Sequence, residues 1–189
     1  MSYEEYWDRI YTHSEKMNAL IGSYWREYSD MGNWQFWVVV FLLVSPLILL
    51  YFTVDRTKIF QLFFFGYTVH ILWAYIDIIL ERYNYFVHTY FIAPAFPFAL
   101  SMTSSALPVG YLLLYQYCIN HKKNFFLYSL FLGAMFSFVF GGIEIYLGLA
   151  KLGKGMKLIY VFLIDTGIAY ISYFFTEILA RWKITKRLS

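Results

Sequence analysis

The alternation of apolar and polar positions divides the chain into an amphipathic first stretch and five long apolar runs. In residues 1–33, one set of positions recurs at alternating steps of four and three, as at Tyr3, Trp7, Ile10, Ser14 and Met17, and all of these but Ser14 carry apolar or aromatic side chains. This spacing gives one apolar helix face, and the opposite face is net acidic. Tyrosine and tryptophan favour the membrane–water boundary, so the stretch predicts a helix on the membrane surface or across the mouth of a bundle. Its 3.5-residue period leaves a coiled-coil pairing helix as the alternative.

The apolar runs predict a transmembrane helical bundle over residues 34–189. Each is long enough to cross a hydrocarbon core of about 30 Å. The expected spans are residues 34–54, 59–80, 99–119, 125–149 and 158–180. Between the second and third runs, Pro94 and Pro97 disfavour a regular helix, so residues 81–98 are expected to form an interfacial loop or a short re-entrant segment. The predicted fold class is therefore an all-α polytopic membrane protein with about five transmembrane helices and an N-terminal interfacial helix.

Composition and charge agree with a membrane setting and exclude nucleic-acid binding as an expected function. Apolar residues make up 60% of the chain and charged residues 14%, against about 45–50% and 25% in soluble domains. The basic residues form short clusters at the ends of the runs rather than one extended patch. Their distribution predicts a cytoplasmic C-terminus and an N-terminus on the other side. The single Cys118 excludes an intrachain disulfide.

Ionisable side chains inside the runs are the candidate chemistry, because such groups are costly in hydrocarbon and normally face a protein interior. His70 and Asp77 are seven residues apart, which places them within about 20° on one helix face. Antiparallel order brings Asp77, Glu144 and Asp165 to within about 5–11 Å of the same membrane surface. Several hydroxyls begin the third run on that side. The candidate polar cavity consists of His70, Asp77, Ser101, Ser104, Ser105, Glu144 and Asp165.

Two interpretations of this cavity stay open at the level of sequence. A histidine with carboxylates suits a divalent metal ion, with His70, Asp77, Glu144 and Asp165 as candidate ligands, and it also suits acid–base chemistry or proton transfer. The same groups can instead hold helices together, with His70 bonded to a carbonyl and Glu144 to a hydroxyl. The chain has no HExxH, G-x-S-x-G or zinc-cysteine motif, so no catalytic residue is assigned.

Four short motifs carry a resemblance to known proteins. They are Asp-Arg-x-Lys at 55–58, Phe-Gly-Tyr at 65–67, Tyr-x-Asp at 75–77 and Pro-Val…Tyr-Gln-Tyr at 108–117. With the stretches around them, over roughly residues 35–180, they resemble a family of small multi-pass membrane proteins from Bacillus- and Clostridium-type bacteria. The resemblance implies a bacterial cytoplasmic membrane and no catalytic residues.

Two functional classes follow from these observations. The favoured one is a structural or partner-binding membrane subunit. Its N-terminal helix and the small residues Gly133, Ser137 and Gly141 would contact lipid, another membrane protein or a second copy of the chain. The alternative is a small intramembrane enzyme, or a proton- or metal-coupled carrier, that uses the His/carboxylate cavity.

Reporter fusions check the predicted topology. We expect fusions at Lys122–Lys123 and at the C-terminus to report from the cytoplasm, and a fusion at Lys154 to report from the other side. Reporters at Lys122 and Lys154 on one side would remove a span and contradict the arrangement.

Overall fold

The structure, a computed structural model, describes the backbone of residues 1–185 and the side chains of residues 1–181. Its helices in chain order are α1 (Tyr3–Tyr24), α2 (Trp34–Thr53), α3 (Ile59–Arg82), α4 (Leu107–His121), α5 (Phe125–Ala134), α6 (Gly141–Tyr146) and α7 (Leu158–Thr185). Three π-helical turns adjoin these helices. One extends α1 (Trp25–Ser29), one leads into α4 (Met102–Ala106) and one joins α5 to α6 (Met135–Phe140). The two strands are β1 (Phe86–His88) and β2 (Ala150–Leu152).

The protein is an all-α polytopic membrane protein, as the sequence predicts. In the part of the chain that the structure describes, four helical segments are long and apolar enough to cross a membrane: Trp34–Thr53, Arg56–Arg82, Phe125–Tyr146 and Leu158–Arg181. The run expected at residues 99–119 also forms a helix, but this one is enclosed by its neighbours, and Tyr111 and Tyr115 are fully buried.

The distribution of side chains is the inverse of that in a soluble protein. Large rings such as Phe52 and Phe60 point outward, with exposed fractions of 77% and 85%, whereas Asp165, Ser172 and Thr176 are almost fully buried. Apolar side chains facing outward match a hydrocarbon surrounding, in which the polar groups must find their partners inside the bundle.

Stacked rings hold the bundle together at the end where α3 begins. Phe65 stacks on Tyr115 with centroids 4.5 Å apart, and Phe125 stacks on Tyr173 at 4.9 Å. These rings come from α3, α4, α5 and α7. Offset stacking of this kind adds about 0.5–1.5 kcal/mol per pair to the apolar burial.

The opposite end of the bundle is closed by a two-stranded ribbon that the sequence analysis missed. β1 pairs antiparallel with β2, and His88 lies opposite Ala150. Residues 81–98 are therefore not simply an interfacial loop, because they supply one strand of this ribbon. Strands of three residues are too short to show the alternation by which a strand is recognised in a sequence.

The ribbon depends on a close approach between two backbones. A Cβ atom built on Gly153 would lie 2.3 Å from the carbonyl oxygen of Asn84. The Gly153 N–H donates to the Tyr85 carbonyl at 2.9 Å, which fixes this approach. Position 153 therefore accepts no side chain unless the ribbon moves.

Substituting Gly153 with alanine is expected to displace the ribbon and to lower the free energy of unfolding by about 1–3 kcal/mol, because the new Cβ overlaps backbone that cannot yield. The matched control is Gly142→Ala in α6, where an added Cβ meets nothing within 4 Å. Thermal unfolding in detergent compares the two, and an equal melting temperature would contradict the assignment.

Candidate functional site

A partly enclosed cavity lies beneath the ribbon, between the ends of α3, α6 and α7. It offers about 40 Å³ to the centres of water-sized molecules, which is room for a small ion or a few waters. Apolar side chains form most of its wall. We call it the polar chamber after the polar side chains that line it: Asp77, His88, Thr103, Ser137, Glu144 and Asp165.

The chamber brings together the three carboxylates that the sequence analysis placed at one membrane surface. Asp77 and Asp165 are almost fully buried, and Glu144 is 9% exposed. Asp77 Oδ2 accepts a hydrogen bond of 3.3 Å from the backbone N–H of Ala99. Among residues 1–181, whose side chains the structure describes, no lysine or arginine lines the chamber. Its charge balance therefore depends on His88 and on whatever occupies the cavity.

The structure places His70, a predicted member of this group, outside the chamber. Its Nδ1 lies 2.8 Å from the carbonyl oxygen of Thr103 and the ring does not line the chamber, which matches the helix-bonding alternative. Seven residues along a helix preserve the face but cover about 10.5 Å of its axis. His70 is therefore too deep in the bundle to join Asp77.

The serines at the start of the third run also lie outside the chamber. Ser105 donates to the Leu43 carbonyl at 2.6 Å. Leu43 is three residues before Pro46, in the helical turn whose hydrogen bonding a proline disturbs. Ser101 and Ser104 are not among the lining residues, and Thr103 between them supplies the lining hydroxyl.

The imidazole of the site comes instead from His88 on β1. One ligand atom each from Asp77, Glu81 and His88 lies within 4.8 Å of the others. Glu81 Oε1 accepts the His88 backbone N–H at 3.0 Å and lies 3.2 Å from Nδ1 of the same residue. Asp77 and Glu81 share a helix face because they are four residues apart, a signal that was present in the sequence.

The charge on His88 is set by opposing effects. Burial, the largest single influence, lowers its pKa, but the hydrogen bond to Glu81 and the attraction of Asp77, Glu144 and Glu81 together raise the pKa to about 9. With the chamber free of a cation, His88 therefore carries a proton at neutral pH and partly balances the carboxylates around it.

The N-terminal helix holds the segment that follows His88. The Tyr24 hydroxyl donates to the Thr89 carbonyl at 3.0 Å, and the Trp25 indole N–H donates to the Phe91 carbonyl at 3.0 Å. The fully buried Ser29 hydroxyl donates to the same carbonyl at 3.1 Å and accepts the Phe91 N–H at 3.0 Å. We call these contacts the N-terminal clamp, and they fix the chain on which the imidazole is mounted.

Chemically, the Asp77–Glu81–His88 group combines oxygen and nitrogen donors in a nearly closed, apolar surrounding. Such a group can hold a divalent cation or transfer protons. Comparison with models of known families, with curated proteins and with solved structures found no match.

The raised pKa of His88 predicts a stability that depends on pH. Its folded-state value of about 9 lies above the ordinary 6.5, so the stabilisation is fully present below pH 6.5 and is lost as the pH rises through 9. With a chelator present, the melting temperature of the wild type should decrease between pH 6 and 9.5. The melting temperature of His88→Asn should depend less on pH over the same range. His121→Asn, at the far end of the bundle, should keep the wild-type slope, and an unchanged slope in His88→Asn would contradict the assignment.

Removing the Ser29 hydroxyl tests the N-terminal clamp. Ser29→Ala leaves the Phe91 N–H without its partner in a buried position, at an expected cost of about 1–3 kcal/mol. Hydrogen exchange at residues 88–91 should become faster. Ser23→Ala is the matched control, because the Ser23 hydroxyl bonds only to its own helix, at Leu20. Equal exchange rates in the two variants would show that the contact does not restrain the segment.

Proposed function

We propose that this membrane protein binds a first-row divalent metal ion in the polar chamber. The single observation that carries the proposal is the clustering of ligand atoms from Asp77, Glu81 and His88 within 4.8 Å; Asp77 and His88 line the chamber, and Glu81 stands behind His88 outside the lining. Carboxylates gathered in an apolar surrounding repel one another and lose hydration, and a cation removes both costs at once. Ser137 adds an independent indication, because its buried hydroxyl lines the same cavity and has no partner among the described residues.

The donor set favours one class of metal. Imidazole with carboxylates suits zinc, manganese, iron or cobalt, whereas calcium and magnesium prefer oxygen ligands alone. The bond between Glu81 and His88 Nδ1 is the carboxylate–histidine arrangement that orients a ligating ring. It makes Nε2 the ring nitrogen available to a cation. Asp77 would supply an oxygen, and Glu144 a further negative charge from α6.

Binding of the metal ion would release the proton of His88. His88 carries a proton when the chamber lacks a cation, and a metal ion can bind the ring only after that proton leaves. Apparent affinity should therefore increase with pH up to about 9, the pKa of His88. The proton and the metal ion are alternative ways of balancing the same carboxylates.

A partner-binding role is the second candidate, and α1 supports it. None of its residues is buried, and the aromatic side chains Tyr3, Trp7 and Tyr11 in its first half are exposed, with Trp7 stacked on Tyr11 at 5.6 Å. A surface of this kind suits the membrane boundary or another membrane protein. The N-terminal clamp joins α1 to the chamber, so the two roles are compatible in one molecule.

Metal analysis tests the proposal. Protein purified in detergent should bind about one equivalent of zinc or manganese that a chelator removes, and a large excess of magnesium should not displace it. Asp77→Asn and His88→Asn should weaken binding by at least about 100-fold, since removing even a residue that supports a ligand costs 10–100-fold. Asp8→Asn on the exposed α1 is the matched acid-to-amide control. Wild-type protein without chelatable metal, or Asp77→Asn binding as tightly as the wild type, would overturn the assignment.

A further inference from the structure

A second polar group lies deeper in the bundle and is centred on Asp165. Its Oδ1 accepts the indole N–H of Trp73 at 2.9 Å, and its Oδ2 accepts the hydroxyl of Tyr111 at 2.8 Å. The donors come from α3 and α4. Asp165 is 1% exposed and belongs to no cluster of metal-ligand atoms among the described residues. It also lines the polar chamber, so one carboxylate borders both the cavity and the middle of the bundle.

Three buried hydroxyls in the bundle interior have no hydrogen-bond partner among the described residues: Ser137, Thr166 and Ser172. An unpaired buried hydroxyl is destabilising, and ordered water normally satisfies such groups. Ser137 faces the chamber. Asp165 and Thr166 both lie against Gly133. Asp165 Oδ2 and Thr166 Oγ1 are each 3.5 Å from the position that a Cβ atom on Gly133 would take. Ser172 lies two turns beyond Asp165 on the same face of α7.

Beyond Ser172, towards the far end of the bundle, Tyr115 and Glu177 carry further groups that can exchange protons. The Tyr115 hydroxyl accepts from the Gln61 amide at 2.6 Å and donates to Glu177 Oε1 at 2.8 Å. Tyr115 follows Tyr111 by one turn of α4, so the two fully buried hydroxyls share a face. Glu177 is twelve residues beyond Asp165 on α7, about 18 Å further along the helix axis.

We infer that these groups form a proton pathway from the polar chamber through Asp165 to Glu177. A proton that reaches the chamber passes by water near Ser137 to the Asp165 carboxylate and forms an O–H bond there. The carboxyl group then gives up a proton to the water and hydroxyl groups at Thr166 and Ser172, and the carboxylate is restored. Glu177 receives the proton and releases it at the opposite end, so no bond or charge in the protein changes over the cycle.

The pathway accounts for features that a purely structural role leaves unexplained. To join α3, α4 and α7, Asp165 needs only Trp73 and Tyr111, and apolar residues at positions 137, 166 and 172 would avoid three unpaired hydroxyls. Hydroxyls and carboxylates along a bundle interior are also the groups from which proton relays in membrane proteins are built.

The charge state of Asp165 depends on groups from every neighbouring element. Trp73 on α3 and Tyr111 on α4 donate to it, and Gly133 on α5 adds no charge. The chamber carries the other titratable groups, which are Asp77 on α3, Glu144 on α6 and His88 on β1. None of the proposed metal ligands is required for the transfer, so the inference stands independently of metal binding.

Vesicles test the pathway. The purified chain is reconstituted into liposomes that contain a pH-sensitive dye, with a chelator on both sides, and a potassium gradient with valinomycin supplies the driving force. We expect vesicles with the wild type to acidify several-fold faster than protein-free vesicles. Asp165→Asn should return the rate to the protein-free level, because an amide cannot accept and release the proton.

Two serine variants test the pathway even if Asp165→Asn does not fold. Ser172→Ala removes an unpartnered hydroxyl, so the variant should fold at least as well as the wild type while its proton flux falls several-fold. Ser129→Ala is the matched control, because the buried Ser129 hydroxyl bonds to its own helix at Phe126, and its flux should equal that of the wild type. A wild-type rate equal to that of protein-free vesicles, or a wild-type rate in Ser172→Ala, would overturn the inference. The chelator keeps either result separate from metal binding.

Discussion

The two hydrogen bonds received by Asp165 are the interaction on which the rest of the bundle depends. They join α7 to α3 through Trp73 and to α4 through Tyr111, and the hydrocarbon chains of a lipid offer no donor that could replace either. α5 approaches this point through Gly133, where a Cβ would lie 2.9 Å from the Tyr111 hydroxyl. A single carboxylate thus fixes how four helices meet, because a buried polar group admits few arrangements that satisfy it.

The chamber end is organised on a different principle, since there the polar groups outnumber their partners. β1 brings His88 to carboxylates on α3 and α6, and the ribbon then covers them. The imidazole is attached to a strand of the ribbon rather than to a membrane helix, and the N-terminal clamp restrains the residues that follow it. Helices therefore supply the carboxylates, while the nitrogen donor comes from the ribbon.

Features of this structure that depend on local patterns follow from the sequence, whereas features that depend on contacts between distant parts of the chain do not. The spans follow from apolar runs, a local property, and the meeting of Asp77, Glu144 and Asp165 follows from antiparallel order and helical rise. His88 could not be found in this way, because its position depends on pairing between residues 86–88 and 150–152, more than sixty positions apart. His70 was expected beside Asp77 because the two share a helix face, but a shared face does not fix how deep each residue lies in the bundle.

The N-terminal clamp also has a thermodynamic consequence. The clamp holds the backbone at Thr89 and Phe91, directly after the chamber residue His88. Linkage makes any coupling through this contact reciprocal: if occupancy of the chamber tightens the clamp, then engagement of α1 strengthens occupancy by the same factor. Under that condition, engagement of the exposed aromatic residues of α1 and occupancy of the chamber would change together, although Tyr3, Trp7 and Tyr11 lie far along the chain from His88.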